Sequence, residues 1–172
     1  MKKAWIHKAA VLIFCAVVTV SFVTLVPTTL NYLELWVALS HLQLQVDSFS
    51  WSKAVSDDHD SINISANLFL LQNSSYVGLK LHSVDVKIEY GEQYEYLYER
   101  RFWFFEKPLD PFAKLNLTLS DDTASGTEDF IRLREQGKPV QLHFSTSANV
   151  FMLGQYTADR VYLDVVDYTL SE

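Results

Sequence analysis

The chain has 172 residues, 49% of them hydrophobic, with a single cysteine and a formal charge of −7. That length and composition suit one domain with a sizeable core. An intramolecular disulfide is excluded, and the acidic balance speaks against nucleic acid as a partner.

Residues 9–26, AAVLIFCAVVTVSFVTLV, form an uncharged run between Lys8 and Pro27. As a helix rising 1.5 Å per residue they reach roughly 27 Å, close to the hydrocarbon thickness of a bilayer. The expectation is a retained transmembrane signal-anchor. A cleaved signal peptide is the competing reading, but signal h-regions run about 7–15 residues and end in a small-x-small site. Here Phe22, Val23, Leu25 and Val26 crowd the exit. Cys15 follows Phe14 rather than a small residue, which argues against a lipoprotein, and it reads as a small apolar residue of the helix. Lys2, Lys3 and Lys8 precede the run and no Lys or Arg follows until Lys53. The positive-inside rule then places residues 1–8 in the cytoplasm and residues 39–172 on the extracytoplasmic or lumenal side. Beyond the run the chain carries 11 basic and 21 acidic residues, a formal charge of −10, which argues against docking on anionic lipid through charge alone.

After this run the apolar pattern changes to a period of two. Leu42, Leu44 and Val46, followed by Phe49 and Trp51, read as a strand. KAVSDDHDS then reads as a polar loop. Ile62, Ile64, Ala66, Leu68 and Leu70 alternate with polar residues before the turn QNSSY, and Val84, Val86, Ile88 and Tyr90 alternate with Asp85, Lys87 and Glu89. Gly91-Glu92-Gln93 interrupts, and Tyr94, Tyr96 and Tyr98 continue on one face as the second arm of a hairpin. Pro108 and Pro111 end that arm, and Leu115, Leu117 and Leu119 supply the next strand. Glu128 to Gln136 predicts one short helix stopped by Gly137 and Pro139. Two further strands, VQLHFSTSANVFM and DRVYLDVVDYTL, complete about seven. The expected fold is an all-β, immunoglobulin-like antiparallel β-sandwich without that family's paired cysteines.

Tyr90 to Phe112 packs nine aromatic residues into 23 positions. Phe102, Trp103, Phe104 and Phe105 are consecutive, so a strand must send them to both faces. Two outcomes are open. A bulge near Arg100 and Arg101 switches the facing and the helix at Glu128 to Gln136 covers the outer rings; or Phe102 and Phe104, or Trp103 and Phe105, line an open apolar groove between the sheets.

Chemistry finds little support in the sequence. His59 with Asp57, Asp58 and Asp60 is the best metal candidate, yet neighbours on a short loop cannot all converge on one ion, so a solvated loop is the better reading. Asp121, Asp122, Glu128 and Asp129 form a second acidic group, which the first turn of the short helix accounts for. No Gly-x-Ser-x-Gly or phosphate loop is present, and His82 and His143 fall inside strands. No catalytic residue, metal site or cofactor is expected. Three sequons, at Asn63, Asn73 and Asn116, are candidate glycosylation sites, with unused triplets on strands as the alternative.

Several segments together resemble the late embryogenesis abundant type 2 (LEA-2) domain, also called the water-stress and hypersensitive-response (WHy) domain. Ser61 to Leu70 with Gln72-Asn73-Ser74 is similar to its Asn-containing segment, and LKLHSVDVKIEY (Leu79 to Tyr90) to its valine-rich strand ending in Tyr. FEKPLDPFAKLNLTL (Phe105 to Leu119) resembles its apolar-Pro turn and alternating Leu strand, and VYLDVVDYTL its terminal strand. The usual Asn-Pro pair is Asn73-Ser74 here, and the aromatic run is denser. The resemblance implies a membrane-tethered, non-enzymatic β-sandwich with a role in stress protection, in lipid or membrane association, or in partner binding. The alternative expectation is an accessory or adhesion subunit of a larger membrane complex.

Overall fold

A computed structural model of the chain describes residues 2–54, 61–123, 127–151 and 158–170. The chain divides into a helical unit, Met1–Val37, and a β unit, Ala38–Glu172.

The helix α1 (Lys2–Ser40) has 39 residues, about 58 Å at the usual rise. It continues through Pro27, beyond the boundary that the uncharged run suggests. Val11–Ser40 is apolar and long enough to cross a membrane. Its threonines suit such a setting. The hydroxyls of Thr19, Thr24, Thr28 and Thr29 each donate to the carbonyl four residues earlier, at 2.8–3.0 Å, and so need no water.

The β unit holds eight described strands and one short helix: β1 (Leu42–Ala54), β2 (Ser61–Gln72), β3 (Lys80–Tyr90), β4 (Glu95–Pro108), β5 (Lys114–Thr123), α2 (Thr127–Glu135), β6 (Val140–Phe151), β7 (Ala158–Tyr162) and β8 (Val166–Leu170). All pairings are antiparallel. One sheet runs β1-β2-β5; the other runs β4-β3-β6, with β7 and β8 both on the far side of β6. The two sheets make an immunoglobulin-like β-sandwich. The strand expected from DRVYLDVVDYTL is divided into β7 and β8 by Leu163 to Val165.

Alternation places the core. Ile62, Ile64, Ala66, Leu68 and Leu70 of β2 face Val84, Val86 and Ile88 of β3 across the sandwich, each no more than 2% exposed. Burying side chains of this size contributes about 1.5–3 kcal/mol apiece. In β1 the buried parity changes, from Leu42 and Leu44 to Phe49, because the register shifts by one between Val46 and Ser48. The amphipathic α2 inserts Phe130 and Ile131 into the core, with Phe130 edge-on to Trp51 and Tyr90 at 5.3 and 5.5 Å. Gly137, at φ 66°, ends it: its amide donates to Arg134 and that of Lys138 to Leu133, closing the last turn.

Candidate functional site on the outer face of the larger sheet

The facing of β4 is set by two bulges, neither at Arg100 and Arg101. The first lies at Leu97, where Ile88 opposes Tyr98 but Glu89 opposes Tyr96. Leu97 and Tyr98 consequently both turn inward, while Tyr94 and Tyr96 stay exposed; the three tyrosines do not share a face. The register is then unbroken from Tyr98 to Trp103. The second bulge spans Phe104 to Glu106, since Ser83 opposes Trp103 and Leu81 opposes Lys107. Within it Phe105 and Glu106 hold left-handed backbone, φ 51° and 68°. Each non-glycine residue there costs roughly 1–2 kcal/mol.

This geometry separates the four rings. Phe102 opposes the buried Val84 and is half-buried, as is Phe104, over which the Lys107 ammonium sits at 5.7 Å. Trp103 and Phe105 point to the outer face and lie 50% and 74% exposed, stacked at 6.0 Å. They do not lie between the sheets, and α2 does not cover them. Phe130 of α2 packs instead on Trp51 and Tyr90. His82 stands edge-on to Trp103, Phe105 and Phe151 at 5.4, 6.2 and 5.2 Å, completing an aromatic cluster.

Beside the cluster lies a buried charge. Asp85 is 4% exposed although it faces outward from β3. Both its oxygens are taken: Arg101 grips it through Nε and through Nη2 at 2.9 Å, and Arg160 donates from Nη2 at 3.1 Å. Arg160 also donates from Nε to Ser147, at 2.9 Å. The guanidiniums in turn lie over Trp103 and Tyr162, at 5.2 and 5.3 Å. Two cross-strand rows result: Trp103, Ser83, Asn149, Arg160 and Arg101, Asp85, Ser147, Tyr162. With strands about 4.8 Å apart, small polar side chains floor a trough roughly 14 Å wide between the aromatic margins. A hollow of about 320 Å³ opens on it, between Lys87, Glu99, Tyr162 and Val165.

The other sequence candidates lie apart. Asp57, Asp58, His59 and Asp60 are outside the described residues. Asp121 accepts from the Tyr98 hydroxyl at 2.6 Å and from Arg100 at 3.0 Å, whereas Glu128 and Asp129 sit in the first turn of α2. The Tyr98 hydroxyl, the Asp122 amide and Arg100 hold the Asp121 carboxyl below its ordinary range; burial, then Asp121, pushes Tyr98 up. His143 presents Nδ1 to Asp167 at 2.6 Å and Nε2 to the Gly91 carbonyl at 3.1 Å, with Tyr94 stacked on its ring at 4.2 Å. Both ring nitrogens face acceptors, so this pair has no position for a nucleophile. Among the described residues no cluster of His, Cys, Asp and Glu could hold a metal ion. Asn63, Asn73 and Asn116 are all exposed; the Asn73 side-chain Nδ2 donates to Gln43 Oε1 at 3.1 Å.

Sequence reasoning missed Asp85, Arg101 and Arg160. Their partners are 16 and 75 residues apart, and only strand pairing brings them together.

No family model and no curated protein matches the chain. Among the solved structures that resemble it are two of low sequence identity. One is a protein from Archaeoglobus fulgidus, 11% identical, with TM-score 0.42 over 74% of this chain and 98% of that one. The other is Northeast Structural Genomics Consortium target SoR45, 8% identical, with TM-score 0.48 over 78% and 90%.

Proposed function

We propose that the chain is a membrane-anchored, non-enzymatic binding domain of the LEA-2 kind, associated with lipid or membrane and with stress protection. The lysines of the first turns of α1, Lys2, Lys3 and Lys8, which precede its apolar run, support a single-pass arrangement with the β unit outside the cytoplasm. The observation that carries a binding role is Phe105: its ring is 74% exposed and stacked on Trp103, on left-handed backbone that glycine would occupy more cheaply. Exposed rings on strained backbone are costly unless they meet something.

A second reading, a subunit of a larger membrane complex, is supported by the same patch. It lies on β4, which pairs with β3 on one side and with no described strand on the other.

Purification of the full chain from its own membranes, in native form and as Trp103→Ser with Phe105→Ser, tests both. Bound lipid lost in the double variant supports the lipid reading, and a stoichiometric protein lost in it supports the subunit. Unchanged co-purification overturns the role given to the patch.

A further inference from the structure

Charge and apolar surface are distributed unevenly between the two ends of the sandwich. The chain joins the β unit at Ala38 to Leu42, and backbone hydrogen bonds identify what shares that end. The Asn73 amide donates to the His41 carbonyl, Gln72 to Ala113, Phe112 to Ser74 and Leu109 to Leu79. The loops 73–79 and 109–113 therefore flank the point where the chain arrives. Each carries an exposed apolar tip, Val77 at 74% and Phe112 at 71%, and Phe112 holds left-handed backbone with φ 56°.

Lys80, Lys107 and Lys114 sit at the same end, because Lys80 opposes Pro108, Lys107 opposes Leu81 and Lys114 opposes Leu71. Glu106, which pairs with Lys80 at 3.3 Å, Asp110, and Asp159, which opposes Val150 beside Leu81, are acids at this end. The opposite end carries more acids: Glu92 and Glu95 at the β3–β4 turn, Asp121 and Asp122 at the end of β5, and Glu128, Asp129 and Glu135 on α2. Its cations are Lys53, paired with Glu135, Arg100, paired with Asp121, Arg132, paired with Asp129, and Arg134 and Lys138 at the end of α2. Among the described residues the lysines and acids of the tether end balance, three against three, whereas the opposite end keeps an excess of acids over cations.

We propose that the end bearing Val77 and Phe112 seats on a bilayer, with the two tips inserted at headgroup depth and Lys80, Lys107 and Lys114 facing lipid phosphates. This rests on the reading that α1 spans that bilayer. The pattern is that of an interfacial anchor, apolar and aromatic tips ringed by long cationic side chains whose stems follow the apolar surface while their ammonium groups reach the headgroups. A covalent tether a few residues away holds the loops at high local concentration near the membrane, so weak insertion suffices.

The test uses the full chain in a Cys15→Ala background, reconstituted into phosphatidylcholine/phosphatidylglycerol vesicles. An environment-sensitive fluorophore is placed singly at Val77→Cys, Phe112→Cys, Glu92→Cys or Val17→Cys, and quenching is compared between nitroxides at the lipid headgroup and mid-chain. The Val17 probe should be quenched best by the mid-chain nitroxide, Val77 and Phe112 best by the headgroup nitroxide, and Glu92 by neither. Lys107→Glu with Lys114→Glu should reduce quenching at Val77 and Phe112 and leave Val17 unchanged. Unquenched Val77 and Phe112 with a quenched Val17, or equal quenching at Glu92, overturns the seating. An unquenched Val17 overturns the membrane-spanning reading beneath it.

Discussion

The Arg101 guanidinium closes over the Asp85 carboxylate in a two-pronged grip on the outward face of β3, and leaves that carboxylate only 4% exposed. Arg160 of β7 shares it. A buried acid needs partners, and removing them costs more than a surface ion pair contributes. Arg101→Ala should destabilise the β unit by about 1–3 kcal/mol, since it leaves Asp85 with one partner. The double variant with Asp85→Ala should show coupling of about 0.5–3 kcal/mol in denaturant unfolding. Additive effects would show that Arg160 alone satisfies the acid.

Exposure and burial make opposite predictions along the aromatic residues. Phe130→Ala and Phe144→Ala, both fully buried, should each cost about 3–5 kcal/mol. Trp103→Ser should stay within about 0.5 kcal/mol of the native chain, because half of its ring is already in water. Phe105→Gly should raise the unfolding midpoint by relieving the φ 51° backbone, with a gain of about 1 kcal/mol at most. A marked loss of stability at Phe105 would mean that the ring is core to the fold.

The hydrogen bond from Tyr98 to Asp121 has a defined pH window. The Asp121 pKa is depressed from 3.8, so its contribution is present above that value and fades as pH falls below it. Tyr98 is raised from 10.0, so its contribution holds below that value and is lost at higher pH. The stability difference between native chain and Tyr98→Phe should therefore be flat across neutral pH and shrink at both extremes. Chemical unfolding at stepped pH checks this; a difference that grows on acidification would contradict it.

A fragment beginning at Ala38 should fold alone. Most of its buried apolar side chains belong to β1–β8 and α2, with Ala38, Leu39, Tyr76, Leu79 and Leu109 adding to them, and Cys15, in α1, is not part of it. One cooperative transition, unchanged by chelator or reductant, is expected by circular dichroism. A lower midpoint with chelator would direct attention to His59 and its neighbouring aspartates.

The membrane-length helix, the strands and the polar turns follow from local pattern, and a period of two in Ile62 to Leu70 or Leu115 to Leu119 suffices to orient those strands. The short helix from Thr127 is signalled equally well by its acidic first turn and by Gly137. Pattern does not reveal a change of parity. At Asp47, at Leu97 and across Phe104 to Glu106, a strand gains residues that its neighbour lacks, and every later side chain is reassigned to a face. The outward turn of Trp103 and Phe105 is a result of that register. So is the gathering of Asp85, Arg101 and Arg160 from three strands. Local sequence sets which residues alternate, but only pairing with a distant strand decides which face each one takes, because the hydrogen bonds that fix the register belong to two segments at once.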